Sequence, residues 1–269
     1  SIRPSVSIHS DSQILQDYLC ICFFLGNDFI LNTPSLNLRY NGLSTLTKAY
    51  SELSRKTNGT FYLVDTTSPT LLHMEYFYLW VNYLAQQEDL RIVTMLRIRE
   101  KQQKKFQFMP ENEAHKPILD RNEEKFIFSD MTQWRSRYYS KKIKNSSQLH
   151  VSQLKPLIQD MSHKYIKIFI WTLHYYWKQC IDWRFAYEYC VAPSLVDLVH
   201  ELSKKSTYSF SNTKPYTPEE QLQIVLPIQS HHLFTTNTKI DRLMYPTNPQ
   251  TSYFLKRYLW EEYVILPKI

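Results

Sequence analysis

The chain has 269 residues, 43% of them apolar, which is enough for a sizeable buried core and leaves room for two subdomains. Its 20 Tyr, 14 Phe and 6 Trp stand against only 3 Gly, which argues against turn-dense β folds and against a Gly-rich phosphate loop. A formal charge of +7 suits a polyanionic partner such as nucleic acid without requiring one.

Residues 1–13 have no hydrophobic period and read as a lead-in. Ile14, Leu15, Tyr18, Leu19 and Cys22 then recur at three- and four-residue steps, so the run to Leu25 predicts a buried helix with that face inward. Gly26 is its expected stop, because glycine accepts left-handed backbone without a Cβ penalty. Asn27 and Asp28 follow at the helix end, facing out of the core. Asp28 is there either a cap or turn residue or a metal ligand. Phe29–Leu38 reads as a loop and Leu43–Leu53 as a short amphipathic helix on Leu43, Leu46, Tyr50 and Leu53. Thr57–Thr70 is expected to hold one short strand, Phe61–Val64.

One long helix is predicted from about Thr70 to Lys105, burying Leu72, Tyr76, Leu79, Tyr83 and Leu84. Its end is basic through Arg97, Arg99, Lys101, Lys104 and Lys105. Residues 107–125, charged and without a period, read as a mobile surface loop. Helix resumes over Trp134–Lys144, basic again through Arg135, Arg137, Lys141, Lys142 and Lys144. Both basic runs are either solvated faces or phosphate contacts. Ser152–Trp177 is a second strong helix, carrying Leu154, Leu157, Met161, Tyr165, Ile168, Trp171 and Tyr175 at helical spacing. Trp183, Phe185, Tyr187 and Tyr189 alternate at period two, which predicts extended chain with one face inward. Short helices are expected over Ser194–Leu202 and Pro218–Leu226, the latter opened by proline and two glutamates. The last 40 residues read as irregular. Cys20, Cys22, Cys180 and Cys190 lie in apolar or aromatic surroundings without zinc-ligand spacing, so they read as reduced, buried residues of an intracellular protein. Ser1–Ser12 is polar, and no apolar run reaches the roughly 20 residues of a membrane span.

Four blocks, in order, resemble the 5′→3′ exoribonucleases of the Xrn/Rat family. Asp17–Tyr18 through Pro34–Ser35–Leu36, with Phe24–Leu25–Gly26–Asn27–Asp28–Phe29 inside it, is similar to the family's D-F-x-x-L-C-F-x-x-G-N-D-F-L-P-x-x-P-S-L. Trp134–Arg135–Ser136–Arg137–Tyr138–Tyr139 resembles W-K-x-R-Y-Y. Tyr165 to Pro193, with Trp171, Leu173, Tyr175, Tyr176, Trp183, Tyr189 and Ala192, resembles Y-x-x-G-L-x-W-x-L-x-Y-Y-Y through Y-x-Y-A-P. Glu220–Gln221–Leu222 to Pro227, then Trp260–Glu261 to Pro267, is similar to the closing E-Q-L-x-x-V-L-P and W-E-x-x-x-L-L-P. Departures mark a divergent member: Leu31 for a proline, Asn32 for a histidine, Gln179 for a glycine and Phe185 for a tryptophan.

The resemblance implies a mainly α, multi-helix domain with minor short strands, packing against an α/β nuclease lobe. Residues 1–50 would be the C-terminal end of that catalytic lobe and 51–269 the Xrn-type helical domain. In the family, an acidic cluster holds two Mg²⁺ ions that polarise the scissile phosphate and generate the attacking hydroxide, chemistry that suits hard carboxylate ligands. The last metal ligand in chain order maps to Asp28. Trp183, Phe185 or Trp171 would stack on the 5′ base, and Arg135 and Arg137 would contact phosphates of single-stranded, 5′-monophosphorylated RNA. For the aromatics the plain alternative is core packing, and for the arginines pairing with a carboxylate such as Asp130. The family's other acidic ligands precede this block, so activity is expected to require an N-terminal lobe, in cis or as a separate chain. The alternative is a catalytically inactive scaffold that binds RNA or protein. The expected setting is the cytoplasm before the nucleus, with no membrane.

Overall fold

The computed structural model describes residues 10–106, 121–143 and 151–226, Ser230, and the strand pairs at 251–252 and 263–264. The fold is mainly helical, as expected. Helix α1 spans Asp11–Phe23, α2 Gly42–Lys56, α3 Met74–Ala85, α4 Glu88–Phe106, α5 Asn122–Ile127, α6 Trp134–Lys142, α7 Val151–Trp177, α8 Leu195–Ser203 and α9 Pro218–Val225. Strands β1 (Thr251–Ser252) and β2 (Tyr263–Val264) pair antiparallel. The lead-in expected over 1–13 lies largely outside the described residues, but Asp11–Gln13 already belong to α1, capped by Ser10.

Helix α7 is the axis. Its C-terminal half fills the main core with α1, α2, α3 and α8, and its N-terminal half joins α4, α5 and α6 around a second core. Phe24 sits at the centre of the first, its ring 5.2–6.2 Å from those of Phe77, Trp80, Tyr165 and Phe169, all edge-on. Edge-to-face contacts of this kind add to plain burial. Position 50 falls inside α2, and the core continues across it.

Several expectations change in detail. The inward face of α1 is Ile14, Asp17, Cys20 and Ile21, while Leu15 and Leu19 are exposed. A buried carboxylate on that face is the reason. Asp17, fully buried, accepts hydrogen bonds from Tyr50 Oη at 2.6 Å, the Val64 and Leu63 N–H groups at 2.8 and 3.0 Å, and Gln13 Nε2 at 3.1 Å. It thereby takes two donors that a strand at Phe61–Val64 would need. The strand shrinks to a single bridge, Val64 to Leu72. Only Cys20 of the four cysteines is fully buried, and none of the four forms a disulfide.

The long helix expected over Thr70–Lys105 is two, broken at Gln86–Gln87. At the break Arg91 Nη2 takes the Leu84 carbonyl at 2.5 Å, and Glu88 turns wholly into the interior. The buried side of α3 is accordingly Phe77, Trp80, Val81 and Leu84. The mobile loop expected over 107–125 lies mostly outside the described residues, but Asn122–Lys125 are helical in α5. Phe185–Tyr189 carry no regular secondary structure; Phe185, Tyr187 and Tyr189 are less exposed than the residues between them, as the alternation predicts, but Trp183, the first residue of that alternation, is exposed.

Asp17 makes a test of this framework. Asp17→Ala strands several buried donors and is expected to destabilise the fold by about 3–5 kcal/mol in urea unfolding, with Asp17→Asn costing clearly less. Burial holds the Asp17 carboxyl above the ordinary aspartate value of 3.8, against the pull of the Tyr50, Val64 and Leu63 hydrogen bonds. A folded-state value above the unfolded one means that this group favours folding most below pH 3.8 and loses that contribution as pH rises through the raised value. The wild-type chain should therefore lose stability over that window relative to Asp17→Asn.

Candidate functional site

Asp28 stands on a turn whose shape comes from its neighbours. Gly26 has φ +95°, and a Cβ there would lie 3.2 Å from the Asn32 nitrogen and 3.3 Å from the Ile30 oxygen, so glycine is required. Asn27 Oδ1 accepts from the N–H groups of Phe29 at 2.8 Å and Ile30 at 3.0 Å, and the Asn27 N–H closes onto the Ile30 carbonyl at 2.9 Å. Asn27 therefore carries the turn-forming role that was the plain reading of Asp28. The Asp28 side chain is exposed and has no hydrogen-bond or ion-pair partner among the described residues.

Helix α7 fixes this turn at two points. Tyr165 Oη donates to the Leu31 carbonyl at 2.7 Å, and the Phe29 ring packs edge-on against Trp171 and Tyr175 at 5.0 and 5.1 Å. Trp171 is 6% exposed and stacks on Tyr175 at 5.3 Å and 12°. Of the three aromatics expected to stack on a base, Trp171 is thus a packed support with no free face. Phe185 is partly buried, edge-on to Phe210 at 5.7 Å, with Lys167 Nζ 4.5 Å from its ring centre. Trp183 is 49% exposed and is the one of the three that offers an open ring.

The same Trp171 also holds the turn that presents Trp183. Its Nε1 donates to the Asp182 carbonyl at 2.8 Å. The Asp182 carboxylate accepts from Thr213 Oγ1 at 2.5 Å, the Ser211 N–H at 3.0 Å and the Arg184 N–H at 3.1 Å, tying 206–217 to this turn. Burial works against its ionised form, but these donors hold the carboxyl below the ordinary aspartate range. Asp182 and the tether from 206–217 were missed in the sequence, because the contact joins segments some thirty residues apart and no local spacing signals it.

The two arginines expected at phosphates are placed differently. Arg135 Nη2 pairs with the fully buried Glu88 at 2.7 Å and with Asp89 at 2.9 Å, and its guanidinium lies 4.5 Å from the Trp134 ring centre. Arg137 donates to the carbonyls of Ile127, at 2.9 Å, and Asp130. Both are spent inside the fold. Lys142 pairs with Glu123 at 2.7 Å, so the basic run of α6 mostly docks that helix onto α4 and α5. In the earlier basic run Arg99 is buried and pairs with Glu124 at 2.7 Å, whereas Arg97, Lys101 and Lys104 face solvent.

The sequence model of the family described as Xrn1 helical domain matches residues 9–131 and 130–254. The chain belongs to that family. It is 26% identical over 299 aligned positions to 5′-3′ exoribonuclease 1 of Homo sapiens, an alignment covering 96% of this chain and 17% of the human protein. It is 24% identical to the 5′-3′ exoribonuclease 2 homolog of Drosophila melanogaster, over 82% of this chain and 28% of that one. To 5′-3′ exoribonuclease 1 of Saccharomyces cerevisiae it is 32% identical over 111 positions, 41% of this chain and 7% of the yeast protein. The chain spans less than a third of the length of each of these relatives.

Within this family member, Trp171 couples the Asp28 turn to the Trp183 turn, and hydrogen exchange can separate its two contacts. Trp171→Phe keeps a ring against Phe29 but removes the Nε1 donor, so amides of 182–185 should exchange faster while those of Phe29 and Ile30 hold. Trp171→Leu should loosen both. Unsupported buried carbonyls cost about 1–3 kcal/mol, which corresponds to roughly 5- to 150-fold in local opening.

Proposed function

We propose that this chain is the helical part of a Mg²⁺-dependent, processive 5′→3′ exoribonuclease acting on single-stranded, 5′-monophosphorylated RNA, working together with an acidic N-terminal nuclease lobe in cis or on a separate chain. The observation that carries the reading is that one buried indole, Trp171, supports both an unpaired carboxylate and a half-exposed tryptophan. In this reading residues 1–50 carry the end of the catalytic lobe and the remainder forms the wall beside it. The setting proposed is intracellular, in the cytoplasm. None of the described helices is long and apolar enough to cross a membrane.

The donor set fits one corner of a two-ion site. Asp28 is a hard oxygen ligand, solvent-facing and not committed to any other group among the described residues. In the neighbouring residue, Asn27 Nδ2 is buried without a hydrogen-bond partner. Among the described residues no three His, Cys, Asp or Glu side chains lie together as a metal-holding group. Asp28 would therefore complete a site whose other ligands come from the nuclease lobe. When bound, two Mg²⁺ ions would polarise the scissile phosphate and acidify the attacking water.

The remaining work falls to side chains of this chain. Trp183 would stack on the terminal base, a contact worth about 1–3 kcal/mol by alanine substitution and indifferent to base identity. Indifference is what stepwise digestion of any sequence needs. Trp171 would act as a positioning residue, keeping the stacked base and the Asp28 carboxylate at a fixed separation while the strand advances. Positioning of that kind lowers the entropic part of the barrier.

In the polypeptide joined to its acidic lobe, Asp28→Asn is expected to fold normally and to lose Mg²⁺-dependent digestion of 5′-monophosphorylated RNA by more than about 100-fold, since even outer-shell changes at metal sites cost 10- to 100-fold. Trp183→Leu should raise KM by roughly 5- to 100-fold with a smaller change in kcat. Digestion by Asp28→Asn at the wild-type rate would remove Asp28 from the metal site. A wild-type assembly that binds RNA without digesting it would favour the scaffold reading.

A further inference from the structure

We propose that Arg184, stacked on Tyr216, is a backbone-phosphate contact for the single-stranded RNA whose base rests on Trp183. The inference rests on the proposed function above and assigns that site an anion-binding element in place of Arg135 and Arg137. Arg184 is exposed, and its side chain has no hydrogen-bond or ion-pair partner among the described residues. Its guanidinium lies 4.0 Å from the centre of the Tyr216 ring.

With the guanidinium over that ring and no side-chain partner among the described residues, its N–H groups remain open to a phosphate. Its backbone is fixed as well: the Arg184 N–H donates to Asp182 Oδ1 at 3.1 Å and to Thr213 Oγ1 at 3.0 Å. The Asp182 carboxylate does not neutralise it directly, because that group is 4% exposed and already accepts from Ser211 and Thr213. Lys167 is the cation that acts on Asp182, and it is itself held between Phe185 and Phe210, 4.5 and 5.1 Å from their ring centres. Arg184 is left uncommitted beside Trp183.

Adjacent residues have Cα atoms about 3.8 Å apart. Trp183 and Arg184 share one turn and are both exposed, and in this proposal a strand whose base stacks on Trp183 runs its phosphates past Arg184. The turn hung from Trp171 thus presents the two kinds of contact that non-specific single-strand binders combine, an aromatic platform and a phosphate-tracking cation.

The test measures binding of a 5′-phosphorylated oligoribonucleotide by fluorescence anisotropy over a range of salt concentrations, using the chain as it stands. Arg184→Gln is expected to raise Kd about 5- to 10-fold at low salt and to reduce the slope of log K against log salt by about 0.7, the value of one phosphate contact on a single strand. Tyr216→Phe should bind as wild type and Tyr216→Leu about two- to threefold more weakly, because a ring is what holds the guanidinium in place. Inorganic phosphate added at constant ionic strength should compete less with Arg184→Gln than with wild type. Trp183→Leu separates the two readings. If it weakens binding while Arg184→Gln changes neither Kd nor slope, the phosphate assignment is wrong and the stacking role stands. If neither variant differs from wild type, or the wild-type chain fails to bind RNA at low salt, the RNA surface itself is misplaced and both fall.

Discussion

The site depends on one side chain meeting two obligations. Trp171 is buried, so its indole N–H must find an acceptor, and it finds the Asp182 carbonyl at 2.8 Å. Its ring is also the surface on which Phe29 rests. A smaller apolar residue would leave a cavity under the Asp28 turn, and a phenylalanine would orphan the Asp182 carbonyl. Both loops are irregular chain, with few backbone bonds of their own to hold them. Their geometry is borrowed from α7, the longest described helix, which Tyr165 and Phe169 anchor around Phe24 in the centre of the core. A site assembled in this way is as rigid as the helix beneath it, which is what a constellation of loop-borne groups requires.

A second buried group explains why Arg135 is not available to an RNA. Glu88 is fully buried and would be costly alone. It is paid for by Arg135 at 2.7 Å, the Leu195 N–H at 2.8 Å and a longer contact from Ser35 at 3.4 Å. Through these it joins α4, α6, the start of α8 and the 33–36 loop where the two cores meet. Burial pushes its carboxyl up against the pull of Arg135, while Arg135 is kept charged by Glu88 and Asp89 despite its own burial. Asp89 also accepts from Trp134 Nε1 at 2.8 Å, which seats α6. The Trp–Arg pair that opens α6 is thus a clamp between helices.

How much of this was legible follows from the range of each interaction. Helix α7 could be read because its period runs unbroken for seven turns, and α9 because proline and two glutamates suit a helix start, where Thr217 and Glu220 form a capping box. The apolar period of α1 pointed to the wrong face, since a leucine stripe outweighs a single aspartate in any count of hydrophobicity. Asp17 is inside because Tyr50, Leu63 and Val64 bring it their donors from far along the chain. The break between α3 and α4 was hidden for the same reason: Gln86–Gln87 does not forbid helix, and the partners of Glu88, Ser35, Arg135 and Leu195, lie far from it along the chain. At the site itself, Gly26–Asn27–Asp28 is a local signal and was readable. The exposure of Trp183 against the burial of Trp171 was not, because the contacts that seat Trp171, with Phe29 and the Asp182 carbonyl, come from elsewhere along the chain.

The arrangement also bears on why aromatic and ionic contacts divide as they do around Trp183. Arginine in a flexible loop would lose much of its rotamer freedom on meeting a phosphate, which erodes the gain. Against Tyr216, with its own N–H fixed, Arg184 has surrendered part of that freedom already. Lys167, held over two rings, is restrained in the same way. In the proposed function, a strand that is released and gripped again at every step would gain little from deep, strong ion pairs, whose rupture is slow. Shallow contacts that are ordered beforehand give adequate affinity with fast exchange. They also leave base identity unread, because a ring face and a phosphate are common to every nucleotide.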